Sequence, residues 1–217
     1  MSIPGNIKNI KQSLPHSVAL VAVTKTYTVE KISEAYSAGH KIFGENKVQE
    51  LLSKYQQIPD DAEWHLIGHL QSNKVKYIAP FVRLIHSIDS LNLLREVNKQ
   101  AQKCNRIISC LLQMHIAQEE TKFGFSYKEA EHLMASDELK SLTHVNISGL
   151  MGMATNTEDA TLIRTEFKNL KSFFDKLKIS FPDLTILSMG MSSDYKIAVE
   201  EGSTMIRVGS AIFGSRA

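Results

Sequence analysis

LVAVTKTYTVEKI, residues 20–32, passes from an unbroken apolar run through a lysine into a helical pattern. The run from Val18 to Val23 lacks the polar alternation of a strand with one wet face, so it reads as a strand covered on both sides, the habit of parallel sheets. Thr24 and Lys25 stand at its carboxyl end. Thr28 followed by Val29, Ile32, Ala35 and Tyr36 predicts a helix capped by Thr28 and stopped by Gly39. Lys25 is thereby placed on a strand-to-helix loop, where parallel α/β proteins keep their chemistry.

Working outward, the same order of apolar run, polar loop and helical stretch recurs along the chain. The runs are Val18–Val23, Lys41–Phe43, Trp64–Ile67, Arg83–His86, Ile107–Met114, Val145–Leu150, Thr185–Met189 and Met205–Val208, eight in all. Helix marks lie between them: a capping box at Ser126 with Glu129, an apolar stripe of Leu162, Phe167, Leu170 and Phe174, and a Gly202 stop after Tyr195–Glu201. Eight strands alternating with helices in 217 residues predict an α/β fold, a (β/α)8 TIM-type barrel near its minimum length. Ile3–Leu14 reads as an extra N-terminal helix, and residues 1–217 as a single domain. A doubly wound open sheet is the competing architecture.

Bulk composition excludes several classes. A hydrophobic content of 43% with 22% charged residues is that of an ordinary soluble chain, and the formal charge of +2 comes from scattered lysines rather than a basic block, so no nucleic-acid partner is expected. The N-terminal MSIPGNIKNIKQSLPHS lacks the apolar core of a signal peptide, and no stretch approaches the roughly 18 apolar residues of a membrane span. The expectation is a cytoplasmic monomer with no membrane partner. Cys104 and Cys110, too few for a disulfide framework, read as free thiols buried near or in a strand.

In a barrel the loops after the strands form the functional face. Here they carry Lys25, Gly44-Glu45-Asn46, His65 with Gly68–Lys74, His86-Ser87, His115, Met151–Met153, Gly190–Asp194 and Arg207–Ser210. The richest stretch is LSMGMSSDYKIAVEEGSTMIRVGSAIFGSR, residues 187–216. Small residues after the seventh and eighth strands can turn backbone N–H groups and hydroxyls toward one phosphate, and Ser192 with Gly209-Ser210 are the candidates. Either loop alone is simply a tight turn; the two together, where barrels place a phosphate, favour the ligand. Lys25, facing such a site, is positioned to condense with an aldehyde. His65 and His69 are four residues apart but flank Gly68 in a strand-like context, which argues against a metal pair. Trp64, Met151 and Met153 read as core or pocket wall.

The segments VAVTKT, FGENKVQE, WHLIGHLQSNK, HSID, GLMGMAT and residues 187–216 closely resemble the pyridoxal phosphate homeostasis proteins, in order and over essentially the whole chain. That family is similar in fold to the N-terminal barrel of alanine racemase. The resemblance implies a non-catalytic protein that holds pyridoxal 5′-phosphate (PLP) as a lysine aldimine and takes part in vitamin B6 homeostasis, with apo PLP-dependent enzymes as further partners. It implies that Lys25 in VTKT forms the aldimine, that Ser192 with Gly209-Ser210 holds the phosphate, that Asn46 lies beside the ring, and that Arg207 stands near the pyridine nitrogen. His115 stands where many relatives carry an asparagine, while the Glu120, Lys122 and Gly124 pattern is kept. The alternatives are a racemase and a phosphosugar isomerase. Two-base racemisation needs a second proton-transfer residue, which alanine racemase takes from a separate C-terminal β domain; with strand 8 ending shortly before Ala217, such a domain is not expected here. The isomerase needs a carboxylate base, for which Glu45 is the candidate.

Overall fold

The structure, a computed structural model, describes residues 2–119 and 123–214. In chain order the elements are α1 Ile3–Ser13, β1 Ala19–Val23, α2 Val29–Ser37, β2 Ile42–Glu45, α3 Val48–Tyr55, β3 Glu63–Leu66, α4 Val75–Ile78, β4 Leu84–Ile88, α5 Leu91–Lys103 and β5 Ile108–Met114. They continue with α6 Tyr127–Ala135, α7 Asp137–Ser141, β6 Val145–Gly152, α8 Ala160–Ser180, β7 Ile186–Ser188, α9 Tyr195–Glu200, β8 Met205–Val208 and α10 Ser210–Phe213. The strands follow one another around a closed barrel, all neighbours parallel, and β8 returns to β1 with Val21 beside Arg207. The eight-stranded barrel with its N-terminal helix is therefore the observed architecture, and the open sheet is excluded by closure between β1 and β8.

Closure explains why the strands read as unbroken apolar runs. Successive side chains point to opposite faces. Along β1, Val21 joins Leu84, Leu111, Met151 and Met205 inside the barrel, while Leu20 and Ala22 join the outer core under the helices. Both phases of β1 are buried against apolar neighbours, so both are apolar. Extended by the same alternation, Val23 and then Lys25 point to the barrel mouth. The extra helix α1 buries Ile3, Ile7 and Ile10 and packs on α2 and α10; the Asn6 side chain donates to the Ile212 carbonyl at 2.8 Å. It thus seals the outside of the seam where β8 closes on β1.

Local signals are met with three corrections. Gly39 and Gly202 take φ of 81° and 91°, which stops α2 and α9 where a left-handed residue is needed. Thr28 occupies the N-cap position of α2, but its side chain makes no cap bond to the backbone and is engaged by Glu30 instead. The α8 stripe begins at buried Ile163, not Leu162, and continues through Phe167, Leu170 and Phe174, because a one-residue shift turns the helix face by about 100°. Cys110 lies buried in β5, whereas Cys104 is only half-buried at the end of α5. Ser126 and Glu129 form the full reciprocal capping box of α6. Ser126→Ala is expected to lower stability by about 1 kcal/mol, measured as a drop in the urea midpoint at unchanged slope.

Candidate functional site

At the carboxyl end of the barrel a cavity of about 430 Å³ is lined by Lys25, Asn46, Ser192, Arg207, Gly209 and Ser210, together with Val23, Ile67, Met153, Met191 and Ser193. The six residues assigned to the cofactor from the sequence all line this one space. Register accounts for the grouping. Val23 sits beside Gly44, so two residues later Lys25 and Asn46 leave adjacent strands together. Gly209 comes up against Val23 from the other side: a Cβ at position 209 would stand 3.2 Å from the Val23 carbonyl oxygen and 3.3 Å from its Cβ. A side chain there would press on the strand that carries Lys25, so glycine suits this close approach of the β8 loop. The Gly209 N–H donates to Ser192 Oγ at 3.2 Å, which joins the loops after β7 and β8 into one cup. That β7 loop is itself closed by the Met191 N–H donating to Asp194 Oδ1 at 2.5 Å.

Arg207 closes the inner side. Its guanidinium donates through Nη1 to the Ser188 carbonyl at 2.9 Å and to Ser188 Oγ at 2.6 Å, and through Nη2 to the Gly152 carbonyl at 3.1 Å. Burial lowers its pKa to about 10, against a raising influence from Asp194, so it keeps its charge at neutral pH. A guanidinium can only donate. Ser188 Oγ, which accepts from Arg207, also lies within hydrogen-bond distance of His86 Nδ1 at 3.1 Å, and His86 Nε2 lies 3.1 Å from His65 Nδ1, so one polar line runs from the guanidinium through both imidazoles. This polar line was not legible as such in the sequence, where His65 and His86 read as mouth residues; both are buried inside the barrel.

Both histidines are neutral. Burial, with Arg83 second, lowers His65 to about 3; burial, then His65 and Arg207, holds His86 well below 6.5. His40, near the opposite end, is lowered to about 4 by burial and then Lys11. A histidine whose folded pKa is depressed stabilises the fold fully above its unfolded pKa near 6.5, and that stability is lost as pH falls toward the folded value. Glu45, raised by burial, acts in the opposite sense, but as one group against three. Stability is expected to decline from about pH 6.5 downward by roughly 1.4 kcal/mol per pH unit for each buried histidine, read from urea midpoints at pH 7.5, 6 and 5. Equal midpoints would contradict the neutral assignment.

Glu45 is not in the cavity. Its side chain is buried on the outer side of β2, where Oε1 accepts from Thr24 Oγ1 at 2.6 Å and from Lys54 Nζ at 2.6 Å. It cannot serve as the isomerase base, because it faces α3 and not the barrel mouth. His69 leaves the barrel as well, with Nδ1 3.1 Å from Asp89 Oδ2 and its ring stacked on Phe123, so it shares no site with His65. Among the described residues no group of three His, Cys, Asp or Glu is arranged to hold a metal, and no helix is long and apolar enough to cross a membrane. His115 Nε2 lies 3.0 Å from the Glu119 carbonyl oxygen, within its own loop. Glu120 and Lys122 lie outside the described residues. Trp64 packs on Phe43 in the outer core, Met151 fills the barrel interior and Met153 lines the cavity.

The donor set fits a small phosphorylated aldehyde: one primary amine, one buried guanidinium, serine hydroxyls, a backbone cradle that a Cβ would fill, and no carboxylate among the lining residues. The volume falls in the range of about 300–1,000 Å³ usual for small-ligand pockets.

Comparison with known proteins agrees. The family described as alanine racemase, N-terminal domain, matches residues 2–217. The pyridoxal phosphate homeostasis protein of Aquifex aeolicus is 41% identical over 199 residues, which cover 91% of this chain and 86% of the relative. Its counterpart in Synechocystis is 37% identical over 221 residues, covering 100% of both chains. Among solved structures, PipY of Synechococcus elongatus is 36% identical and superimposes with a TM-score of 0.92 without PLP and 0.88 with PLP bound, covering 98% of this chain and 100% of PipY. Alanine racemase of Clostridium difficile shares the barrel at 16% identity and a TM-score of 0.82, covering 99% of this chain and 56% of the racemase.

Proposed function

The chain belongs to the pyridoxal phosphate homeostasis protein family, and we propose that it binds PLP reversibly through Lys25 as a lysine aldimine and acts as a carrier in vitamin B6 homeostasis. One observation carries the reading: the amine of Lys25 and the Ser192–Gly209 cup open into the same cavity, which Arg207 closes from inside. When bound, PLP supplies an aldehyde that a primary amine captures, with the carbonyl oxygen leaving as water. Each lining residue then has a task. Lys25 Nζ provides the amine, the Ser192 and Ser210 hydroxyls with the Gly209 backbone hold the phosphate, and Asn46 flanks the ring. Arg207, fixed by Ser188 and Gly152, donates from the cavity floor toward the ring nitrogen. Apolar Val23, Ile67, Met153 and Met191 shield an imine from water. The same reading makes the protein a cytoplasmic monomer of one barrel domain, which releases PLP to apo-enzymes that require it.

The phosphate cup is tested by titrating the purified protein with PLP and with pyridoxal, followed by absorbance. A donor to a charged oxygen is worth about 1.5–3 kcal/mol, so Ser192→Ala is expected to weaken PLP binding roughly tenfold or more. It should leave the weak binding of pyridoxal unchanged. Pyridoxal binding as tightly as PLP would mean that no phosphate cup exists.

A further inference from the structure

The residues behind Lys25 form a second assembly that the cavity does not include. At the end of β1 the Thr24 carbonyl accepts from Lys54 Nζ at 2.9 Å. One peptide further on, the Thr26 N–H donates to Glu50 Oε2 at 2.9 Å. These are the two peptide units on either side of Lys25. Glu50 and Lys54 belong to α3 and are four residues apart, on one face of the helix, with Lys54 Nζ 3.4 Å from Glu50 Oε2. Lys54 is buried and anchored in turn by Glu45 Oε1 at 2.6 Å, which also receives the Thr24 hydroxyl at 2.6 Å.

Thr26 itself takes φ of 68°. A β-branched residue is strongly disfavoured in the left-handed region and persists there only where its surroundings hold it. The Glu50 carboxylate on its N–H is such a hold. The left-handed turn swings the chain away after Lys25, so Lys25 remains the last residue in phase with Val21 and Val23 and reaches the barrel mouth.

We propose that the Glu50–Lys54 pair of α3 is a positioning clamp for Lys25, gripping both of its peptide units from behind the barrel wall so that its amine is held toward the cavity. The proposal rests on the reading of Lys25 as the cofactor-binding lysine. Glu50 and Lys54 touch neither the cavity nor its ligand; they act through the backbone of residues 24–26. Lys54 and Glu45 are a buried pair, and removing one partner endangers the fold itself. Glu50 is partly exposed and is the residue to change.

The experiment compares wild type, Glu50→Ala and Glu50→Gln. Glutamine keeps an oxygen for the Thr26 N–H but loses the charge. In the PLP-free protein, deuterium exchange at the Thr26 amide is expected to rise at least tenfold in Glu50→Ala and to stay near wild type in Glu50→Gln. Labelling of Lys25 by acetic anhydride, read by mass spectrometry, should change in the same order. The PLP dissociation constant is expected to rise about threefold to tenfold in Glu50→Ala, with recovery in Glu50→Gln, while the thermal midpoints of all three remain within a few degrees. Unchanged Thr26 exchange and Lys25 labelling in Glu50→Ala overturn the clamp. So does an affinity loss that tracks only a loss of thermal stability. Failure of the underlying reading looks different: borohydride reduction of wild type with PLP would leave Lys25 unmodified, whatever the Glu50 variants do.

Discussion

Lys25→Ala is expected to abolish the borohydride-stable pyridoxyl adduct while leaving a folded protein. The amine is the one group in the lining able to form a reducible imine with an aldehyde: the other nitrogen side chains there are Asn46, an amide, and Arg207, which keeps its proton at neutral pH. No second lysine lines the cavity among the described residues. The fold should survive because Lys25 is only half-buried and lies beyond the last core residue of β1, so its removal opens no core cavity. Residual PLP should remain through the phosphate cup, with the absorbance of free aldehyde in place of imine. Peptide mapping after reduction decides the matter: adduct on Lys25 in wild type and none in the variant is the expected pair. A stable adduct on another lysine alone, at full stoichiometry, would refute the assignment.

The strands, the extra helix and the mouth residues were legible because each is written in local periodicity. A parallel barrel buries both faces of its strands, and that forces apolar runs which stop where the mouth begins. Lys25 was visible as the polar end of such a run. The polar line through the barrel was not. Ser188 and His86 are 102 residues apart, and only closure of the sheet brings them together. Their phase was the available signal, since His65 precedes cavity-lining Ile67 by two and Ser188 pairs with Met205 of the barrel interior. Glu50 and Lys54 were illegible for a different reason. In sequence they are an ordinary i,i+4 pair of the kind that decorates exposed helices, and nothing local says that the facing surface is the end of β1. Glu45 misled in the same way, since its loop is at the mouth while its side chain points outward.

Amino acids added to the PLP-loaded protein are expected to exchange their α-protons no faster than with free PLP, to within about an order of magnitude. Two-base racemisation needs a proton acceptor on each face of the substrate carbon. Among the described residues lining the cavity the titratable side chains are Lys25 and Arg207, with no carboxylate, histidine or tyrosine. Arg207, with a pKa of about 10, stays protonated and accepts nothing at neutral pH. His65 and His86, the nearest imidazoles along the polar line from Arg207, are spent on hydrogen bonds inside the barrel. On the proposed placement of Arg207 beside the ring nitrogen, the same arginine would weaken the cofactor's electron sink. A protonated pyridine nitrogen withdraws electrons best, and many PLP enzymes secure it with a carboxylate; a donor-only guanidinium at that nitrogen favours its unprotonated form. Three hydrogen bonds to Ser188 and Gly152 keep the group in place, so it does not swing aside. The measurement is α-proton exchange in deuterated water with a panel of L-amino acids, loaded protein against free PLP at equal concentration. Exchange or racemisation many orders of magnitude above free PLP, and lost in Lys25→Ala, would overturn the carrier reading in favour of an enzyme.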